Sequence, residues 1–495
     1  MSEAMVSAPA SDANRFATST RAVLSAVFCA QELQELEAHL GTPNDALHLR
    51  TNAMQIDRKV LLERLQAEPS LEGYAIEVHP KLWDVLVIQR RPCAPELQPY
   101  LAITHILSTD RFAERKQRGL PPHEVFVDIV CGEAVLRGAD IFVKGVFGAS
   151  AGLESGNRVS VYADTRRTLL RGSVCESLEG MRLLGIGTCH IDRPALFREP
   201  SGLAVTMDHV ISGDLPSMSG ILNGLLYVQT LPSLTVAHVL DAQPGERILD
   251  MCAAPGSKTT HIATNFLRDA DGSCVVACER NHGKIAKMAA LCATLGAGCV
   301  QPTRADTTRL AKAGDALPTS GAKKGNKGGV PGLSCARESF DRVLLDPPCS
   351  AIGLRPRLVL ESAGASCATI AQTAAYQRLF LWVAVQALKV GGTLVYSTCT
   401  LTADENEGQV ARALEAYPCL ELVSATPRLG SKGRAGLGLS DAQCELVQRF
   451  EPREGCEGFF IAKLQKVRGC DGGVVNAGGA PPSAPPLAPP PESVT

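Results

Sequence analysis

Leu249-Asp250-Met251-Cys252-Ala253-Ala254-Pro255-Gly256-Ser257-Lys258-Thr259 is the stretch on which the fold turns. With Glu246 and Ile248 ahead of it, an apolar run ends on an aspartate, bends through small residues and a Pro-Gly pair, and resumes as a helix from Lys258. Small side chains and Gly256 let the backbone come close to a ligand where strand becomes helix. The helix start beyond them favours an anionic group. The Gly-Ser-Lys-Thr run invites comparison with a phosphate-binding loop. That loop needs an early glycine and a Gly-Lys pair; here Met251 holds the early place and Ser257 precedes Lys258. Taken alone, the stretch reads equally well as an ordinary structural turn.

Outward from it, the C-terminal half alternates strands and helices. Gly272–Ala277 reads as a second strand, ending near Glu279, and a helix follows Asn281. Asp341–Leu345 reads as a third strand. A helix through Tyr376–Leu388 leads by Gly391-Gly392 into a strand at Thr393–Tyr396. This rhythm predicts an α/β, Rossmann-like, doubly wound and mostly parallel sheet. Ligands of such sheets sit at the carboxyl ends of the strands, where Glu279 is placed to accept from both hydroxyls of a ribose. Between about Glu124 and Phe197 the character changes. Short β-rich runs at Val125–Val130, Asp140–Val143, Arg158–Tyr162 and Leu183–Ile186, separated by glycines, predict a small inserted β-barrel.

Two further strand ends carry chemistry. In Phe340-Asp341-Arg342-Val343-Leu344-Leu345-Asp346-Pro347-Pro348-Cys349-Ser350, an apolar strand delivers an aspartate, a rigid turn and a thiol. An aromatic residue after Asp-Pro-Pro would suit methylation of an amino group; Cys349 in that place points away from amines. In Leu394-Val395-Tyr396-Ser397-Thr398-Cys399-Thr400, a second thiol follows a strand. Asp404, Glu405 and Glu407 after it read as the cap and first turn of the next helix. Any one cysteine is expected to be a buried, inert thiol. Two thiols at neighbouring strand ends, beside a nucleoside-type turn, reverse that expectation. Carbon 5 of cytosine is too weak a nucleophile to attack a sulfonium, but a thiolate adding to carbon 6 makes it enamine-like. A second thiol can then help remove the carbon 5 proton. Asp346 can hold the pyrimidine edge, either donating as an acid to the ring nitrogen or accepting from the exocyclic amine, with the base flipped into a pocket.

Composition sets the outer limits. A chain of 495 residues with 45% hydrophobic content is expected to form two or three globular domains. With 49 basic and 51 acidic residues, a nucleic-acid partner has to be met by local patches and not by bulk charge. No apolar run approaches the roughly 18 residues of a membrane span. Met1–Arg21 carries Glu3 and Asp12 and has no apolar segment of a secretory signal, so the 18 cysteines are expected to stay reduced. Only Cys274 and Cys278 come near zinc-knuckle spacing, so no metal is expected. Residues 1–20, the Lys/Gly-rich insertion 311–335 and the proline-rich tail 469–495 read as poor core material.

Cys-Ala-Ala-Pro-Gly, Asp-Pro-Pro-Cys-Ser and Ser-Thr-Cys-Thr, in this order, resemble the Sun-domain family of RNA cytosine-5 methyltransferases. The resemblance runs from about Tyr227 to Leu464 and takes in Gln377–Leu379 and Gly458–Lys463. It implies S-adenosylmethionine as cofactor, Cys399 as nucleophile and Cys349 as the residue that promotes release. It places Cys252, Ala253, Ala254, Pro255, Gly256, Ser257, Lys258, Glu279, Asp306 and Asp346 around the cofactor and base. The chain departs from the family at Ser257, Glu279, Pro347 and Ala351, where glycine, aspartate, alanine and glycine are usual. Val127–Ala139 with Gly145 looks like a PUA RNA-binding domain. A PUA domain ahead of a Sun core, together with Arg355-Pro356, is similar to the branch that methylates tRNA at its acceptor end, at position 72. This implies a PUA domain at 116–203, an N-terminal α/β part at 21–115 and a catalytic domain at 204–468. It also implies tRNA with its CCA end as partner, a monomer, and a cytoplasmic or nuclear location. Arg137, Phe142, Lys144, Arg166, Arg167, Arg171 and Arg355 are the candidate RNA contacts, each weighed against a merely solvated face. The competing expectations are the same chemistry on rRNA or mRNA, and a non-catalytic RNA-binding factor on a degenerate fold.

Overall fold

The computed structural model describes residues 16–95, 120–175, 177–310, 330, 332–360 and 366–469. Its largest sheet runs, edge to edge, through Val300–Arg304, Cys274–Glu279, Arg247–Asp250, Phe340–Leu345, Leu388–Thr398, Phe459–Lys466 and Leu420–Val423. The first five strands are parallel, and Phe459–Lys466 joins them antiparallel. From Arg247–Asp250 the chain first builds outward to one side and then returns to lay Phe340–Leu345 on the other. That reversal opens a crevice at the carboxyl ends of the two central strands.

Side-chain alternation explains why these runs are apolar throughout. Leu249, Val343, Leu345 and Leu394 face the helix Cys367–Ala387 through Phe380, Leu381 and Ala384. Ile248, Leu344 and Val395 face the other way, onto Val236, Val239 and Leu240 of the helix Leu231–Leu240 and onto Ile262. A parallel strand covered on both faces cannot show a polar side.

A four-stranded antiparallel sheet, ordered Leu226–Val228, Ala46–Thr51, Val85–Gln89 and Ile76–Val78, lies ahead of this domain in sequence. Leu49, Leu61, Leu65, Leu86 and Ile88 form its core. The helix Thr18–Leu24 corrects the expectation that residues 1–20 are all poor core material. Phe16 and Leu24 are buried, and Phe16 N donates to Glu37 at 3.1 Å. Residues 1–15, 311–329, 331 and 470–495 lie outside the described residues, but the end of the expected 311–335 insertion belongs to the core: Gly332–Leu333 pairs with Asp306–Leu310, and Leu333 is buried in the core of the largest sheet.

A six-stranded sheet follows the order Ile141–Phe142, Leu203–Val210, Met181–Cys189, Arg158–Asp164, His123–Val127 and Val146–Ala149. Two details differ from the sequence reading. The run Val125–Val130 is half strand and half helix: Asp128 accepts from Cys131 N at 2.7 Å and starts the helix Ile129–Leu136. A boundary at 203/204 would cut the strand Leu203–Val210, which pairs with Phe142 at Leu203 and with Gly185–Cys189 from Val205 to Val210. The segment after Cys349 ties the units together. Ile352 and Leu360 pack with Phe16 and Leu24, whereas Leu358 enters the core of the six-stranded unit, where its N–H donates to Glu133 at 3.0 Å.

Candidate functional site

The crevice gathers its side chains from consecutive strand ends. The strand Arg247–Asp250 leads into the turn Cys252–Gly256, and Ala253 N donates to the Cys278 carbonyl at 2.9 Å, docking that turn on the neighbouring strand. Gly256 has φ +109°, a conformation that favours glycine, and a β-carbon there would press on Met288 Cγ at 3.0 Å. Asp250 is buried and accepts from Thr259 Oγ1 at 2.7 Å; burial pushes its carboxyl up to about 6. Burial also raises the Cys252 thiol well above its ordinary value. Glu279 ends the next strand and accepts from Asn281 N at 2.7 Å. Ala305 N donates to the Glu279 carbonyl, which sets Asp306 alongside. Thr307 Oγ1 donates to the Met251 carbonyl at 2.8 Å and closes that side.

On the other side of the switch point, Asp346 accepts from the Lys258 ammonium and from Ser397 Oγ, both at 2.7 Å. Burial opposes the charge on Lys258, but Asp346 at contact distance holds its pKa above the usual lysine value. The Cys349 and Cys399 sulfurs are 3.3 Å apart, although fifty positions separate them in sequence. The hydrogen bond to Cys399, and then burial, hold the Cys349 thiol well above its ordinary value. Behind Cys399 two backbones cross closely. Gly353 N donates to the Cys399 carbonyl at 3.0 Å, and a β-carbon on Gly353 would stand 2.1 Å from the Gly458 carbonyl oxygen. Ala351 takes φ +54°, a left-handed conformation that costs an alanine about 1–2 kcal/mol. That is the backbone reason for glycine being the family's residue there.

Glu405 corrects the helix-start reading. It is fully buried and accepts from Ser350 N (2.9 Å), Ser350 Oγ (2.6 Å), Thr402 Oγ1 (2.8 Å) and Gln377 Nε2 (3.0 Å). It therefore clamps the residue next to Cys349. Glu407 is also buried, paired with Arg449 at 3.0 Å, and only Asp404 stays exposed. Local sequence holds no sign of the Glu405 contacts, because Ser350 lies 55 positions away.

The candidate RNA contacts do not form one group. Phe142, Lys144 and Arg167 are exposed on the six-stranded unit, and Arg166 is paired with Glu179 at 2.6 Å. Arg171 donates to the carbonyls of Val143, Val146 and Leu196, which sets it against the Phe142–Lys144 turn. Arg137 is exposed, with Glu133 and Glu457 as neighbouring charges. Arg355 departs from expectation: it is 3% exposed and donates to Thr42, Pro43, Pro452 and Cys456. A guanidinium spent on five internal hydrogen bonds is a structural staple, unavailable to RNA. Among the described residues Cys419 is disulfide-bonded, against the expectation of full reduction.

Residues 237–465 match the 16S rRNA methyltransferase RsmB/F family. Over 472 residues the chain is 36% identical to the mouse tRNA (cytosine(72)-C(5))-methyltransferase NSUN6, spanning 88% of this chain and 90% of that protein. It is 35% identical to the rRNA (cytosine-C(5))-methyltransferase NOP2C of Arabidopsis thaliana over 445 residues, spanning 70% of this chain and 73% of that one. Among solved structures, NSun6 from Pyrococcus horikoshii with SFG, an S-adenosylmethionine analogue, superposes with a TM-score of 0.69 at 29% identity. That alignment covers 92% of this chain and 100% of the other.

Proposed function

The chain belongs to the family of RNA cytosine-5 methyltransferases that includes RsmB/F and NSUN6, and on that premise we propose that it methylates carbon 5 of cytosine 72 in tRNA, with S-adenosylmethionine as cofactor. The observation that carries the substrate is coverage. The family match stops at the catalytic sheet, whereas the likeness to the tRNA enzyme spans 88% of the chain and so takes in the N-terminal and six-stranded units. We read the six-stranded unit as a PUA domain that receives the acceptor stem and CCA end, through Phe142, Lys144, Arg166, Arg167 and Arg171. We read the protein as a monomer of the cytoplasm or nucleus; no helix among the described residues is long and apolar enough to cross a membrane. The likeness to NOP2C supports a second reading, the same chemistry on rRNA. The test is methylation of tRNA transcripts and rRNA fragments, read by bisulfite sequencing. Product at cytosine 72 of tRNA, lost when that base is replaced by uracil, is expected; product on rRNA alone would reverse the substrate.

The residues present fit the cofactor. The Cys252–Lys258 turn brings backbone and Lys258 to the switch point, and Glu279 and Asp306 bring carboxylates to the ribose side of the crevice. When bound, S-adenosylmethionine supplies an electrophilic methyl group on a sulfonium. The protein's own part is to make cytosine nucleophilic. Cys399 adds to carbon 6, and the electrons of the 5,6 double bond move to carbon 5. The hydrogen bond to Cys399 and then burial hold the Cys349 thiol well above its ordinary value, which makes it the poorer nucleophile and assigns the attack to Cys399. Once the Cys399 sulfur is bonded to carbon, the contact that holds up the Cys349 thiol is weakened. Cys349, having passed its proton to solvent water, can then take the carbon 5 proton as the carbon 6–sulfur bond breaks, its electrons leaving with Cys399 as thiolate. Asp346, already accepting from an ammonium and a hydroxyl, is arranged as an acceptor, which favours the exocyclic amine of cytosine over proton donation to the ring.

Glu405 keeps Cys349 in range by holding Ser350. Replacing it with alanine is expected to lower turnover at least about tenfold, the size of effect that misplacing a catalytic group produces. Affinity for S-adenosylmethionine should stay within about twofold in the same variant. Equal losses in rate and cofactor affinity would show Glu405 to be general scaffolding.

A further inference from the structure

We infer that the four-stranded N-terminal sheet braces the cofactor turn, with Arg50 as a positioning residue for S-adenosylmethionine; this rests on the reading that Cys252–Lys258 holds the cofactor. Arg50 lies on the strand Ala46–Thr51 and is fully buried. Its Nη1 donates to the Ser257 carbonyl at 2.6 Å and to Gln229 Oε1 at 3.1 Å. Its Nη2 donates to Thr260 Oγ1 at 3.0 Å, and that hydroxyl donates onward to the Gly256 carbonyl at 2.8 Å. One guanidinium thus grips Ser257 directly and Gly256 through a single hydroxyl. Its partners are a carbonyl, an amide and a hydroxyl, with the Tyr227 ring 5.0 Å away. Burying a charge on such partners is expensive unless all of them stay in place, which makes the arrangement sensitive to the position of the turn.

The neighbouring residues continue the grip. Asn265 Nδ2 donates to the Thr51 carbonyl at 2.8 Å, and Asn52 Nδ2 donates to the Leu295 carbonyl at 2.8 Å. Asp84, in the turn before Val85–Gln89, accepts from His238 (2.8 Å), His261 (2.7 Å) and Asn265 (2.6 Å). Asp84, His238 and His261 are types that ligate metals, yet this carboxylate is already filled by three protein donors. We therefore read the cluster as a knot between the N-terminal sheet and the helix that follows the cofactor turn. That helix is α over Ser257–His261 and widens to π over Ile262–Leu267, where Asn265 sits. Such widening is common at functional sites and needs outside partners for its displaced backbone.

The test uses the full-length protein with calorimetric titration of S-adenosylmethionine and steady-state KM for both substrates. Arg50→Met is expected to raise the Kd and KM for S-adenosylmethionine about tenfold or more, with the KM for tRNA within about twofold. Arg50→Lys, which keeps a donor for the Ser257 carbonyl, should recover part of the loss. Thr260→Val, which keeps the shape and loses the hydroxyl, should weaken the cofactor about threefold. A folded Arg50→Met protein with wild-type cofactor affinity overturns the brace, as does an equal rise in both KM values. If Arg50→Met does not fold, wild-type affinity in both Arg50→Lys and Thr260→Val overturns it. Glu279→Ala separates the two readings. Cofactor loss there beside wild-type affinity in the Arg50 variants overturns the brace alone; a wild-type protein that does not bind S-adenosylmethionine sinks both.

Discussion

Incubated with S-adenosylmethionine and a good tRNA substrate, the Cys349→Ala protein is expected to remain covalently attached to RNA and to run as a shifted band on denaturing gels. The Cys399→Ala protein should give neither band nor product, and the double variant should behave like Cys399→Ala. The reason is the asymmetry of a pair whose sulfurs lie 3.3 Å apart. The hydrogen bond to Cys399 and then burial hold the Cys349 thiol well above its ordinary value, which suits it to proton transfer and not to attack. Addition needs only the Cys399 thiolate, so it survives loss of Cys349. Release needs the carbon 5 proton removed, and among the described residues Cys349 is the thiol paired with Cys399. Loss of such a proton-transfer group lowers turnover by on the order of 10²–10⁴. A shifted band from Cys399→Ala and none from Cys349→Ala would exchange the two roles. No adduct from any variant on a methylated substrate would remove the covalent mechanism.

The second large effect is expected at Lys258. Its ammonium and the Asp346 carboxylate are 2.7 Å apart, with side chains 15% and 25% exposed, so both charges are largely screened from water. Lys258→Met removes the cation, leaves Asp346 with Ser397 alone, and strips a positive charge from between the cofactor turn and the base. We expect methylation to fall by two to three orders of magnitude, on the order of 3–4 kcal/mol of transition-state stabilisation. The lysine pKa is raised, so the pair is fully formed below the usual lysine value and is lost only as pH rises through the higher folded value. Between pH 6 and about 9 it should therefore add no slope to the rate profile. Wild-type turnover in Lys258→Met, or a loss confined to thermal stability, would reduce Lys258 to a structural ion pair.

How much of this was legible in advance varies by element. The parallel sheet, its strand ends and the turn at Cys252–Gly256 follow from doubly covered apolar runs and from the one conformation that Gly256 must take. The pairing of Cys349 with Cys399 was legible because both thiols stand just after strands whose order in such a sheet is restricted. Glu405 and Arg50 were not legible. Each acts on a segment 55 and 207 positions away respectively, and each looks locally like something ordinary: a helix-start acid and a strand arginine.

Arg355 misled for the opposite reason. Its neighbouring motif suggested a surface contact, and only packing against Thr42, Pro43, Pro452 and Cys456 shows a buried staple. By itself the sequence determined the catalytic class: the order of its three motifs and the residue types at the strand ends specify a nucleoside-type crevice with two thiols. Only the tertiary structure decided which polar groups hold that crevice in shape. Hydrophobic periodicity and turn chemistry are local properties of the chain. Satisfying a buried guanidinium or carboxylate depends on partners that the fold alone brings within about 3 Å.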